Sequence, residues 1–194
     1  VLNEMPPGRQ PIVTKVVPSQ HRQTVYRFIE GKMAQGQQVY VICPLIDESD
    51  VLEVKSVKEE FERLQPIFPK FRLAMLHGRL KSEEKERIMR EFKAGKIHLL
   101  VSTSVIEVGI DVPNAAIMLI EDADRFGLSQ LHQFRGRVGR GKEQSYCFLF
   151  TDSDSQPTFT RLKAMGDHSD GVKLAEIDLQ LRGPGEVYGI RQSG

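Results

Sequence analysis

The chain has 194 residues, 27 of them Lys or Arg against 26 Asp or Glu, for a formal net charge of +1, with 40% hydrophobic and 27% charged residues. That size suits one α/β domain with an appendage and an ordinary soluble composition. The near-zero charge excludes nucleic-acid binding by bulk charge, so any such role must rest on a local patch. No apolar run approaches the ~18 residues of a membrane span, and no signal peptide is visible. Cys43 and Cys147 lie far apart in apolar runs and read as buried reduced thiols, giving neither a disulfide framework nor a metal site. The chain starts at Val1 and stops at Gly194 within a glycine-rich stretch, so it reads as a piece of a longer protein.

Residues 1 to 11, with Pro6-Pro7-Gly8 and Pro11, have the composition of an extended linker. Ile12 to Val17 is the first expected strand. Ser19 is the expected N-cap of a helix from Gln20 to Ala34, with Val25, Phe28, Ile29 and Met33 on one face and Gly36 past its end. Val39 to Cys43 is a continuous apolar run, as in a strand of a parallel sheet buried on both faces. A charged loop from Asp47 to Asp50 precedes a helix from Val54 to Gln65, stopped by Pro66. Arg72 to Leu76 is a strand ending in His77-Gly78. Ser82 and Glu83 to Lys93 form a helix with an acidic start and a basic end. Strand Ile97 to Val101 leads into Ser102-Thr103-Ser104, and Val105 to Asp111 is a short turn or helix containing Gly109. Strand Ala115 to Ile120 runs into Glu121-Asp122-Ala123-Asp124, Leu128 to Phe134 is helical, and Ser145 to Thr151 is the last strand. Ser155 to Gly166 and Val172 to Leu181 read as two short helices, followed by an irregular glycine-rich loop from Arg182 to Gly194.

Strands alternating with helices at this spacing predict an α/β fold, a parallel sheet covered by helices on both faces. Ligands of such sheets bind beyond the carboxyl ends of the strands. His77-Gly78, Ser102 to Ser104 and Glu121 to Asp124 fall there.

The stretch with the clearest chemistry is Gln133-Phe134-Arg135-Gly136-Arg137-Val138-Gly139-Arg140-Gly141, three arginines and three glycines in nine residues. An arginine is permanently charged and its planar fork suits phosphate oxygens. Arg137 and Arg140, three apart, would share a face if the helix continued through them. The chain has no matching phosphate cradle. Gly136 to Glu143 has the glycine and lysine spacing of a P-loop, but Glu143 stands where a Mg²⁺-binding hydroxyl is needed and the motif does not follow a strand. The five histidines show no metal-ligand spacing. Arginines fit for phosphoryl transfer without a cradle imply half of a two-domain motor, whose other half holds the nucleotide.

Gln133 to Gly141 resembles the last motif of superfamily 2 helicases. Val101 to Pro113 (VSTSVIEVGIDVP) resembles the motif before it. Ala74 to Leu80 and Val39 to Ile46 are similar to two earlier motifs of the second RecA-like domain, all in the expected order. Residues 12–152 would then be that domain. Pro6 to Arg9, Asp124 to Gln133, and the ending Leu181 to Glu186 with Gln192-Ser193-Gly194 resemble the RecG family of bacterial branch-migration helicases. The transcription-repair coupling factors share the last two features and stay open as the alternative. In both, residues 153–194 would form a helical hairpin and loop that convert cleft closure into pulling on duplex DNA, a role the match assigns to Arg182 and Gln192.

The resemblance implies that Arg137 and Arg140 contact ATP phosphates from across a cleft, Gly109 and Asp111 sit near the nucleotide, and Gln133 couples that site to the domain interface. Ser102, Thr103 and the backbone around Gly78 would hold DNA phosphates. The implied cofactors are ATP and Mg²⁺, held by a first RecA-like domain absent from this sequence. The implied partners are that domain, a wedge domain, and branched double-stranded DNA such as forks and Holliday junctions, in the bacterial cytoplasm. The resemblance leaves this chain alone with little or no ATPase activity.

Overall fold

The structure, a computed structural model, describes residues 11–45, 50–103, 112, 114–139 and 141–181. Outside the described residues lie the proline-rich stretch before residue 11, the charged loop at 46–49, residues 104–111 with Ser104, Gly109 and Asp111, Pro113, Arg140, and the loop 182–194 with Arg182 and Gln192.

Six strands, β1 (Val13–Pro18), β2 (Gln38–Cys43), β3 (Leu73–Met75), β4 (Leu99–Thr103), β5 (Ala115–Ile120) and β6 (Tyr146–Thr151), form one sheet in the order β1-β6-β5-β2-β4-β3. Every pairing is parallel. Every residue of β2, β4 and β5 is buried, which is why their sequences are unbroken apolar runs rather than alternating ones.

The strand period of two sends successive side chains to opposite faces. Tyr40, Ile42, Leu100, Met118, Ile120, Cys147 and Leu149 join one core. That core is closed by α3 (Ser82–Lys93), α4 (Leu128–Arg135), α5 (Gln156–Asp167) and α6 (171–181), through residues such as Phe92, Leu131, Leu162 and Leu174. Val39, Val41, Leu99, Val101, Ile117, Leu119, Phe148 and Phe150 join a second core, closed by α1 (Arg22–Ala34) and α2 (Asp50–Leu64) through Tyr26, Ile29, Met33, Val57 and Leu64. The expected class, a doubly covered parallel sheet with a helical hairpin after it, is the observed one. Both cysteines are buried free thiols. Among the described residues no helix is long and apolar enough to cross a membrane.

Three local expectations change. Ser19 does not cap α1. It opens a 3-10 turn (Ser19–His21), and its hydroxyl instead donates to the Asp152 carboxylate. On α1 the buried face carries Tyr26, while Phe28 is 37% exposed against Tyr146. Tyr26 packs its ring edge against Phe68 and Phe150, an apolar body with a polar tip that hydropathy understates. β4 extends through Ser102 and Thr103, which pair in register with Ile42 and Cys43 rather than standing beyond the strand.

Charges gather at the carboxyl ends of β2 and β5. Arg22 donates two hydrogen bonds to Glu121, 2.7 and 2.8 Å, and Arg63 a third at 3.1 Å. Arg63 also pairs with Glu60, while the Arg22 guanidinium lies 4.6 Å from the Phe150 ring centre. This network pins α1 and α2 to the end of the central strand. Burial, then the neighbouring Glu121 charge, push the Glu60 carboxyl up to about 7 despite the opposing pull of Arg63. A carboxyl raised in the folded state favours folding while protonated, and loses that contribution as pH rises through its folded value. The wild-type chain should therefore lose roughly 1–3 kcal/mol of stability between pH 4.5 and about 7 from this group. Urea unfolding across that range should show a shallower decline in Glu60→Gln, and identical slopes in the two proteins would refute the assignment.

Candidate functional site

The arginine motif is presented by α4, a helix of only eight residues. Such a helix has no independent stability, so its position must come from what it packs on. Leu128 and Leu131 are fully buried, and Phe134 packs edge-on against Phe126 at 5.3 Å. At the start of the helix the Gly127 N–H donates to Gln130 Oε1 (3.0 Å) and the Leu128 N–H to Asp178 Oδ2 (3.1 Å). A carboxylate at a helix N-terminus satisfies an amide that has no partner within the helix and favours the helix dipole.

The helix ends at Arg135. Arg137 follows in a turn, its N–H donating to Phe134 O at 2.9 Å. Gly139 then adopts φ +85°, and a Cβ there would stand 3.1 Å from Ile12 Cδ1. Both the left-handed backbone and the close approach call for glycine. The condition for a shared helical face does not hold at Arg137, because the helix ends near Phe134, where the sequence places its end. Arg137 and Gln133 are both exposed. Burial pushes the Tyr40 phenol up to about 12, and the cation of Arg137 draws it partly back.

Arg135, the first arginine of the motif, is 7% exposed. It donates to the carbonyls of Met165 and His168 (3.0 Å to the latter) and lies 3.2 Å from His132 Nδ1. Burial and Arg135 hold the His132 imidazole below its ordinary range, and its ring rests on Gly171. Arg161 of α5, 6% exposed, donates to Phe126 O (2.9 Å), Asp124 O (2.7 Å) and the Asp178 carboxylate (3.2 Å). Asp178 of α6 therefore joins Arg161 to the first turn of α4, while Arg135 joins the last turn of α4 to the end of α5. The α5–α6 hairpin grips α4 at both ends, and α6 runs to residue 181, next to the expected translocation residue Arg182.

At the carboxyl edge of β3 and β4 the structure brings Gly78 and Thr103 together around Glu53. The Gly78 N–H donates to Glu53 Oε1 at 2.7 Å, and Thr103 Oγ1 lies 3.4 Å from the same oxygen. Thr103 is 2% exposed and Ser102 1% exposed on the opposite face of the strand. Both hydroxyls stand at the carboxyl end of the strand, where the sequence places them, but are covered.

Five residues take partners that no local sequence signal announces. Arg135 had no role apart from its motif, and Arg161, Asp178, Glu53 and Glu121 find their partners 17 to 99 positions away. The usable hint was the presence of two arginines in otherwise apolar surroundings, since buried cations require acceptors.

Residues 20–142 match the helicase conserved C-terminal domain family. Over its whole length the chain is 54% identical to an ATP-dependent DNA helicase RecG of Synechocystis, covering 23% of that protein, and 50% identical to the one of Thermotoga maritima, covering 25%. It therefore spans about a quarter of the length of these curated relatives. A solved structure of RecG bound to a three-way DNA junction superposes with a TM-score of 0.76 at 46% identity, over 95% of this chain and 24% of that one. The likeness favours RecG over the transcription-repair coupling factors. The chain belongs to the helicase conserved C-terminal domain family, and the relatives it resembles there are RecG helicases.

Proposed function

We propose that this chain is the second motor domain of an ATP-dependent double-stranded DNA translocase that remodels stalled forks and Holliday junctions in the bacterial cytoplasm. The observation that carries the reading is the exposed Arg137 at the end of a short helix gripped at both ends by the α5–α6 hairpin. An exposed guanidinium on a fixed helix end suits a phosphate clamp acting across a cleft. The first RecA-like domain of the same protein would hold ATP and Mg²⁺. Arg137 and Arg140 would reach the phosphates, Gly109 and Asp111 would line the nucleotide, and Gln133 would face the joining domain. ATP, when bound, supplies the free energy that opens and closes that cleft.

The remaining roles rest on the resemblance to superfamily 2 helicases. Gly78 and Thr103 would hold the DNA backbone, contacts blind to sequence and so fit for a motor that travels; Ser102, assigned there by the resemblance, is buried on the other face of β4. Because Asp178 and Arg161 tie α6 to α4, a displacement of the arginine helix carries the hairpin with it. The loop bearing Arg182 and Gln192 would transmit that movement to duplex DNA. A wedge domain would split the branch.

In the longer protein, Arg137→Ala should lower DNA-dependent ATP hydrolysis by about 10³-fold or more, the usual worth of an arginine supplied to a nucleotide from another domain. A wild-type rate would remove Arg137 from the clamp. Asp178→Asn keeps size and loses the charge that joins Arg161 to α4. Its ATPase should persist while junction unwinding per ATP falls roughly 2- to 30-fold, the reach of a 0.5–2 kcal/mol coupling change. Equal loss of both activities would mean that the bond only supports the fold.

A further inference from the structure

Glu53 lies in the second turn of α2, where its carboxylate reaches the end of the sheet instead of solvent and is 8% exposed. Its Oε1 accepts the Gly78 N–H at 2.7 Å and lies 3.4 Å from Thr103 Oγ1. A Cβ on residue 78 would stand 3.0 Å from Glu53 Oε2, so the carboxylate lies directly against the backbone here. A backbone amide and a hydroxyl converging on one negatively charged oxygen are the donors with which proteins hold nucleic-acid phosphates. Thr103, at 2% exposure, has no open face for a phosphate while the carboxylate is in place.

We propose that Glu53 is an autoinhibitory stand-in for a DNA phosphate, occupying the Gly78 amide and the Thr103 hydroxyl until duplex DNA displaces it. The inference rests on the reading of those two residues as DNA-backbone ligands. A carboxylate and a phosphodiester cannot share the donors, because each donor hydrogen is already directed to one oxygen and the like charges repel. The exchange trades one anionic acceptor for another, so it leaves no donor unsatisfied and can run in either direction. Glu53 must rotate outward from α2, which couples the start of that helix to the presence of DNA. Away from a duplex the site is closed to free phosphate and to other stray polyanions.

The test uses the ¹⁵N-labelled chain and a short blunt-ended DNA duplex, followed by fluorescence anisotropy and by the Gly78 amide resonance. Glu53→Gln removes the competing charge, and Glu53→Asp keeps the charge but withdraws it by one methylene. Both should tighten duplex binding roughly 3- to 30-fold, the worth of a charge-assisted hydrogen bond less whatever neutral bond remains. In both, the duplex should shift the Gly78 amide. Glu59→Gln makes the same charge change on the exposed side of α2 and should bind as wild type does. Unchanged affinity in the two Glu53 variants, or an equal gain in Glu59→Gln, overturns the inference. Thr103→Val separates it from the reading beneath. If Thr103→Val abolishes the Gly78 shift while the Glu53 variants gain nothing, the DNA site stands and the gate falls. If no variant shows a Gly78 shift with duplex, both fall.

Discussion

The arrangement depends on one carboxylate bridging two helices. Asp178 accepts a hydrogen bond from the first amide of α4 and another from Arg161, whose guanidinium also serves the carbonyls of Asp124 and Phe126. Removing either charged partner would leave the other, largely buried, with its neutral hydrogen bonds alone. An eight-residue helix gains little from its own hydrogen bonds, so the direction in which it presents Arg137 is set by this bridge and by Arg135 at its far end. The polar contacts lie between the hairpin and α4, while Leu128, Leu131, Leu162 and Leu174 supply the apolar contact beneath them.

The sheet explains why these groups can work together. Parallel strands end on one edge, and their buried faces leave the polar residues to collect there. Glu121 with Arg22 and Arg63, Thr103 with Glu53, and the Gly78 amide all stand on that edge. Each anion is met by more than one donor, as burial requires. The same geometry gives separate elements separate tasks. α2 guards the amide and hydroxyl at the β3–β4 end, α4 leads into the turn that bears Arg137, and the hairpin holds α4.

Much of the fold was legible because it rests on local pattern. Val39 to Cys43 and Ala115 to Ile120 are unbroken apolar runs and became the two central strands. The two helices after Thr151 also stand where their periodicity places them. The start of α2 was misplaced by four residues, because Asp50 reads as loop although acidic residues are favoured in a helix's first turn. That shift hid Glu53, the residue that meets Gly78. Arg135 was visible as part of a motif but not as a buried anchor, since its acceptors are carbonyls 30 and 33 residues away. The end of α4 was legible to within one residue, Phe134 expected and Arg135 observed. The left-handed turn at Gly139, where a Cβ would crowd Ile12, was not, because it rests on a tertiary approach.

If α4 and the α5–α6 hairpin are one mechanical body, native-state hydrogen exchange of this chain will show it. Amides of α4, beginning with Leu128, should open together with those of α5 and α6 as one cooperative unit, and Asp178→Asn should lower the protection of both. If α4 keeps its protection while the hairpin opens alone, the bridge does not couple them and the account of transmission is wrong.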